Sequence, residues 1–165
     1  MPDINPELGV LNTFRTQSTE IQFAIGEYID NSIDSYFKYE KLLNKNESDF
    51  KPYIDITFDQ EKNTIAIEDN CAGIHKEDEE RAFKIGITNP NDTDIGTYGM
   101  GMKVSSFWFT PTWEIETKPI NEPYKKTFKV DLEKIMITGK TEDSKVSSDA
   151  DPFTRVTLRD VYPGR

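Results

Sequence analysis

Glu27-Tyr-Ile-Asp-Asn31-Ser-Ile-Asp34 is the stretch that decides how this chain is read, together with two segments that follow it in fixed order, Glu68-Asp-Asn-Cys-Ala-Gly73-Ile74 and Ile95-Gly-Thr-Tyr-Gly99-Met-Gly101-Met-Lys103. The first sets a carboxylate and a carboxamide one helical turn apart, on the same face. The second places Asp69 and a glycine just behind an apolar run. The third is a glycine-rich loop that opens a helix and brings a lysine with it. Each is common alone. Their order is the informative part.

Outward from the first segment, Ser18-Thr19-Glu20 predicts a helix start, with hydroxyls to cap free N–H groups. Ile21, Ile25, Tyr28, Ile29, Ser32 and Tyr36 then recur at helical spacing as the core-facing stripe. Glu20, Glu27, Asp30, Asn31, Asp34 and Lys38 share the other side, an acidic face. Residues 53–58 alternate like a strand, and 64–68 follow after a polar turn, which predicts a hairpin. Residues 76–84 read as a short helix, 86–98 as a polar mobile loop around Pro90, and 99–109 as a helix. Strands are expected at 112–117, 127–130 and 155–158, with 139–152 an exposed loop and 1–17 an N-terminal segment whose Leu8, Val10, Leu11 and Phe14 could pack on the domain. The order predicts a single α+β domain over residues 1–165. It would be a two-layer α/β sandwich with helices on one face of a mixed, mainly antiparallel sheet.

The 165 residues suffice for one domain with a real core, and ten Phe, seven Tyr and two Trp supply its bulk. No apolar run approaches the ~20 residues that cross a bilayer. The first residues lack the basic-then-apolar layout of a secretory signal. Cys71 is the single cysteine, so no intrachain disulfide forms and a reducing, cytoplasmic home is expected. A formal charge of −10 disfavours broad nucleic-acid binding by this domain. Any DNA or protein client would be held through other domains, and Lys125-Lys126 is read as solvated surface.

The chemistry follows residue by residue. Asn31 offers a hard oxygen suited to Mg²⁺, which keeps most of its waters. Glu27 beside a metal-bound triphosphate can orient and deprotonate a water; otherwise the pair belongs to an exposed acidic helix face. Asp69 can accept a hydrogen bond from the exocyclic amine of adenine, with Gly73 letting backbone approach the base; otherwise it begins an ordinary Asp-Asn turn. Gly96, Gly99 and Gly101 can turn N–H groups toward phosphate at a helix start, with Lys103 as a point charge. The Gly-Lys-[Ser/Thr] P-loop pattern does not occur. Residues 86–98 could close over a nucleotide as a lid. Cys71 is read as a small packing residue and His75 as a helix-start residue.

With those residues in view, the chain resembles the GHKL ATPase superfamily (gyrase, heat-shock chaperone, histidine kinase, MutL) and its Bergerat ATP-binding fold, over about residues 18–158. The resemblance implies that Glu27 is general base and Asn31 the Mg²⁺ ligand. It implies that Asp69, Gly73 and Ile74 form the adenine-reading box, usually Asp-x-Gly-x-Gly. Gly96, Tyr98, Gly99, Met100, Gly101, Met102 and Lys103 match the phosphate-binding box, and Thr154 resembles the threonine that helps hold adenine. Residues 83–86 and 95–103 look closest to the MORC-like branch. Two positions depart from the pattern: Cys71 stands for the first glycine of the adenine box, and Phe153 for the glycine before Thr154. In MORC, MutL and gyrase-type proteins a second domain sends a lysine to the γ-phosphate, and such a domain is expected outside these residues.

The resulting expectation is a Mg²⁺-dependent ATPase, slow in isolation, binding ATP and ADP and acting as a dimerisation switch of a larger protein. Two other classes stay open. A histidine-kinase catalytic domain shares the fold but usually carries Asn where Glu27 stands, and follows a segment with a phosphoacceptor histidine. A nucleotide-binding module without turnover needs only Asp69 and the glycines.

Overall fold

The computed structural model describes residues 19–83, 100–138 and 140–165. The expected segment 1–17, the lid 86–98 and with it Gly96, Tyr98 and Gly99 lie outside the described residues. Helix α1 (Ile21–Asn46) leads into β1 (Ile54–Asp59) and β2 (Thr64–Asp69), followed by the helices α2 (Lys76–Phe83) and α3 (Met100–Phe109). The chain then runs through β3 (Thr112–Lys118), β4 (Tyr124–Asp131), α4 (Leu132–Thr138), β5 (Glu142–Ser147) and β6 (Phe153–Arg159). The strands form one six-stranded sheet in the order β1-β2-β6-β3-β4-β5, every described pairing antiparallel.

Alternation divides the sheet into two unlike faces. Ile65, Ile67, Trp113, Ile115, Val130, Val156 and Leu158 point to one side and form a single core with Ala24 and Tyr28 of α1 and Met102, Phe107, Trp108 and Phe109 around α3. Phe107 meets Trp113 edge-on, ring centroids 5.8 Å apart, an arrangement that aromatic quadrupoles favour. The opposite face is charged. Arg155 bridges Glu68 and, at 3.4 Å, Glu116, which Lys125 also reaches at 2.6 Å, while Arg159 meets Glu114 at 2.6 Å. A helix-covered apolar face and a solvated polar one make this the α+β sandwich of Bergerat type that the sequence predicts.

Local differences have local causes. α1 opens at Ile21, with Glu20 in the cap position; its carboxylate is taken by the Gln22 amide and makes no capping bond. The stripe begins in earnest at Ala24, and Ile21 itself is exposed. β4 begins at Tyr124, earlier than the sequence pattern suggests, and that start turns Lys126 toward the covered face. Lys126 is therefore buried between Glu79 and Glu122, not solvated. Within the expected loop 139–152 lies the strand β5, all of whose residues are exposed. α4 was not expected either; Asp131 caps it by accepting the Lys134 N–H at 3.1 Å. Among the described residues no helix is long and apolar enough to cross a membrane.

Leu158 is fully buried on the strand at the centre of the sheet. Leu158→Ala should lower the unfolding free energy by about 2–5 kcal/mol in urea titration. Val146→Ser, on the exposed edge strand β5, should change it by no more than about 0.5 kcal/mol.

Candidate functional site

α1 runs across the sheet close to α3, and the first and third sequence segments meet where the helices pack. The Tyr28 hydroxyl and Ser106 Oγ lie 2.8 Å apart between them, buried. One residue before Tyr28, Glu27 turns out of the core, and its carboxylate lies against the backbone of Gly101. A Cβ at residue 101 would collide with Glu27 Oε2 and Cδ. The glycine expected to face phosphate is thus also the one that admits this carboxylate.

One turn along α1, Asn31 and Ser32 line a small cavity of about 30 Å³ with Asp69, Ile74, Met102 and Thr154. By volume it has room for roughly two waters. Asp69 is the one carboxylate among its described lining residues and is 6% exposed. Oδ2 accepts the Ser32 hydroxyl at 2.7 Å and Oδ1 the Cys71 backbone N–H at 2.9 Å. Burial pushes the Asp69 carboxyl above its usual range, and these bonds oppose the shift. The Cys71 thiol and the Thr154 backbone also lie within hydrogen-bonding reach of this carboxyl.

Register brings Thr154 to this point, because β2 and β6 pair Asp69 directly with Thr154. Thr154 Oγ1 lies 3.4 Å from Thr117 Oγ1, and Thr117 Oγ1 also accepts the Ile74 N–H at 2.8 Å. Phe153, the residue that departs from the family pattern, lies on the opposite face of β6 and does not line the cavity. Cys71 fits its position as well. Gly73 is the residue of this turn with positive φ, +73°, so position 71 does not need a glycine's freedom. The Cys71 thiol is buried and its pKa is pushed up to about 12, chiefly by burial, which suits packing and not attack.

The close approach that Gly73 allows in this structure is to protein. A Cβ there would come within 2.7 Å of Pro119 Cα, and the turn is held by Ile120 N–H to Ala72 C=O at 2.8 Å. Lys103 sits one turn into α3, buried, and the cost of burying its charge pulls its pKa down to about 8. Met100 begins α3, and Met102 forms one wall of the cavity. His75 immediately precedes α2, as expected, its ring stacked on Tyr39 at 4.4 Å.

Asn31, Asp69, Ile74, Met102 and Thr154 therefore converge, with Glu27 and Gly101 in contact beside them, while Gly73 and Lys103 do not line the cavity. Sequence reasoning overlooked Ser32 and Tyr28, having placed them on the core stripe for their spacing alone. The signal was there: a hydroxyl on a buried stripe needs a partner, and here these are Asp69 and Ser106. Among the described residues no group of three or more His, Cys, Asp or Glu side chains could hold a metal. Of the cavity's lining residues, Asn31 carries a hard amide oxygen of the kind that could hold Mg²⁺.

A comparison with curated proteins finds no match to the chain. The sequence profile of the histidine kinase-, DNA gyrase B- and HSP90-like ATPases matches residues 19–160, nearly the whole described fold. The chain belongs to this ATPase family.

Proposed function

We propose that this domain binds ATP with Mg²⁺ and hydrolyses it slowly, using binding to drive dimerisation of a larger protein of MORC- or MutL-like organisation. The observation that carries the reading is the meeting of Glu27 with Gly101 beside the cavity of Asn31, Asp69 and Thr154. Asp69 takes the exocyclic amine of adenine, a donor that guanine lacks at that place, and Thr154 assists. Gly73 and Ile74 shape the turn beside the base. Gly96, Gly99 and Gly101, with Tyr98, Met100 and Met102 between them, carry the phosphates toward Lys103. Asn31 holds the magnesium ion, which neutralises phosphate charge when bound. Glu27 orients a water for attack on the γ-phosphate and takes its proton.

The cavity is too small for a purine in its present form, so base entry moves a wall. Met102 of α3 and Ala82 of α2 are lining residues that flank 84–99 in sequence. Met102 is the adaptable one. A base that displaces these two side chains acts on α2 and α3 together, which makes occupancy a conformational signal. The domain is cytoplasmic in this reading, and clients meet other parts of the protein.

Glu27→Gln should reduce ATP turnover by about a hundredfold or more while calorimetry finds ATP affinity within about threefold of the parent. Gly101→Ala, whose Cβ takes the space of the Glu27 carboxylate, should lower turnover similarly. Unchanged turnover in Glu27→Gln would remove the base assignment.

Asp69→Asn should abolish saturable ATP and ADP binding, and the parent should not bind GTP. The Asn amide sets a donor where Asp69 accepts on both oxygens, so thermal melts should show a lowered but still cooperative transition, which separates loss of binding from loss of fold. Retained ATP binding would move the base elsewhere.

Phosphate needs Lys103 charged, and in the empty site its pKa lies near 8. ATP affinity should therefore fall as pH rises above about 8, by up to about tenfold per pH unit. The stability of the empty fold should move the other way. Its folded pKa is below the unfolded value of 10.5, so the unfolded chain binds more protons between about 8 and 10.5 and stability rises with pH in that window. Lys103→Met should weaken binding and flatten both slopes, checked by calorimetry and thermal melts from pH 7 to about 9.5.

A further inference from the structure

A second, larger concavity lies on the other side of β2 and β6. It measures about 720 Å³, within the range of ligand-binding pockets, and is separate from the Asp69 cavity. Phe50, Tyr53 and Phe153 give it three aromatic rings, above a base formed by the buried Leu43 and Ile120. Tyr53 is 49% exposed, so a large aromatic surface faces solvent there. The groove is held in shape before anything enters it. Asn70 accepts the Tyr53 N–H at 2.8 Å and donates to the Lys51 carbonyl at 3.0 Å, and Phe50 stacks on Tyr36 at 6.3 Å.

Its charge is one-sided. Among the described residues, Glu47, Glu68 and Asp151 line it against one cation, Arg155. Arg155 is already shared between Glu68 and Glu116. Glu47 and Asp151 are exposed and form no ion pair among the described residues. α1 ends here, at Asn46, and the negative end of its dipole adds to the same sign. Aromatic faces beside unpaired carboxylates match a guanidinium, which stacks on rings and bonds carboxylate in one plane. Two such carboxylates with the Tyr53 and Phe50 rings accommodate more than one cationic side chain of a single ligand.

We propose that this groove docks an arginine- or lysine-rich peptide segment of a partner protein. Glu47 and Asp151 pair with its cationic side chains, and Tyr53 and Phe50 stack against them, the Phe153 ring lying under Arg155 at 5.8 Å. The overall charge of −10 would attract any polycation weakly, so the assignment depends on which carboxylates matter.

Fluorescence anisotropy with a labelled hexa-arginine peptide at about 150 mM salt separates the cases. The parent chain should bind saturably, and Glu47→Gln/Asp151→Asn should bind at least tenfold more weakly. Glu133→Gln/Asp143→Asn removes the same charge at exposed positions on α4 and β5 and should stay within twofold. Tyr53→Ala, at an exposed ring, should weaken binding without lowering the melting temperature. Equal losses in the two double variants would reduce the effect to bulk charge and overturn the proposal, as would absence of saturable binding. Displacement by spermine at equal concentration would replace the peptide with a small polycation. A parent dimer in sedimentation, dissolved by Glu47→Gln/Asp151→Asn, would replace it with a second copy.

Discussion

How closely α1 can lie against α3 controls the geometry of everything on the covered face. The approach is set by small and polar groups: Gly101 against Glu27, and the Tyr28–Ser106 hydrogen bond between the helices. A buried phenol is costly unless paired, so this bond does more than add stability: it fixes the rotation of α1 about its own axis. With Tyr28 turned inward to Ser106, Glu27 is turned outward to Gly101, and Asn31 and Ser32 come round toward the sheet one turn later. The first and third sequence segments, far apart in the chain, are thereby held in one register.

The buried polar groups on this face form a chain of dependence. Ser32 holds Asp69 from the helix side and Cys71 N–H holds it from the turn. That turn depends on Gly73, packed so tightly on Pro119 that no side chain fits. Thr117, next to Lys118 on β3, supports both Ile74 and the neighbourhood of Thr154. The carboxylate is thus positioned by three elements at once, which limits the geometries available to it and explains how a poorly solvated acid is tolerated there.

Much of this was legible in the sequence, for reasons that can be named. α1 repeats its period over 26 residues, enough for the stripe and the acidic face to separate. The β1–β2 hairpin carries alternation and a polar turn whose Asn63 adopts φ 49°. β5 could not be read because all of its residues are exposed, so it has no alternation to show. α4 is only seven residues and its Ile137 is exposed, leaving Asp131 as its one clear signal. Lys126 was misjudged because its burial depends on where β4 starts, which is a property of the sheet. Within the site, Glu27, Asn31, Asp69, Gly73, the loop glycines and Lys103 came from local spacing, and Ile74, Tyr98, Met100, Met102 and Thr154 from the family resemblance. What spacing could not supply was pairing: the partners of Tyr28 and Ser32, and the register that sets Thr154 opposite Asp69.

The alternation of β2 and β6 has a consequence for how such a sequence can change over time. Asp69 and Thr154 serve one cavity, while their immediate neighbours Asn70 and Phe153 serve the groove on the far side. Adjacent codons are therefore under unrelated physical demands. A bulky ring at 153 leaves the cavity untouched because it belongs to a different surface. These two strands carry two interleaved records, and each face can acquire or lose a binding partner without erasing what is written on the other.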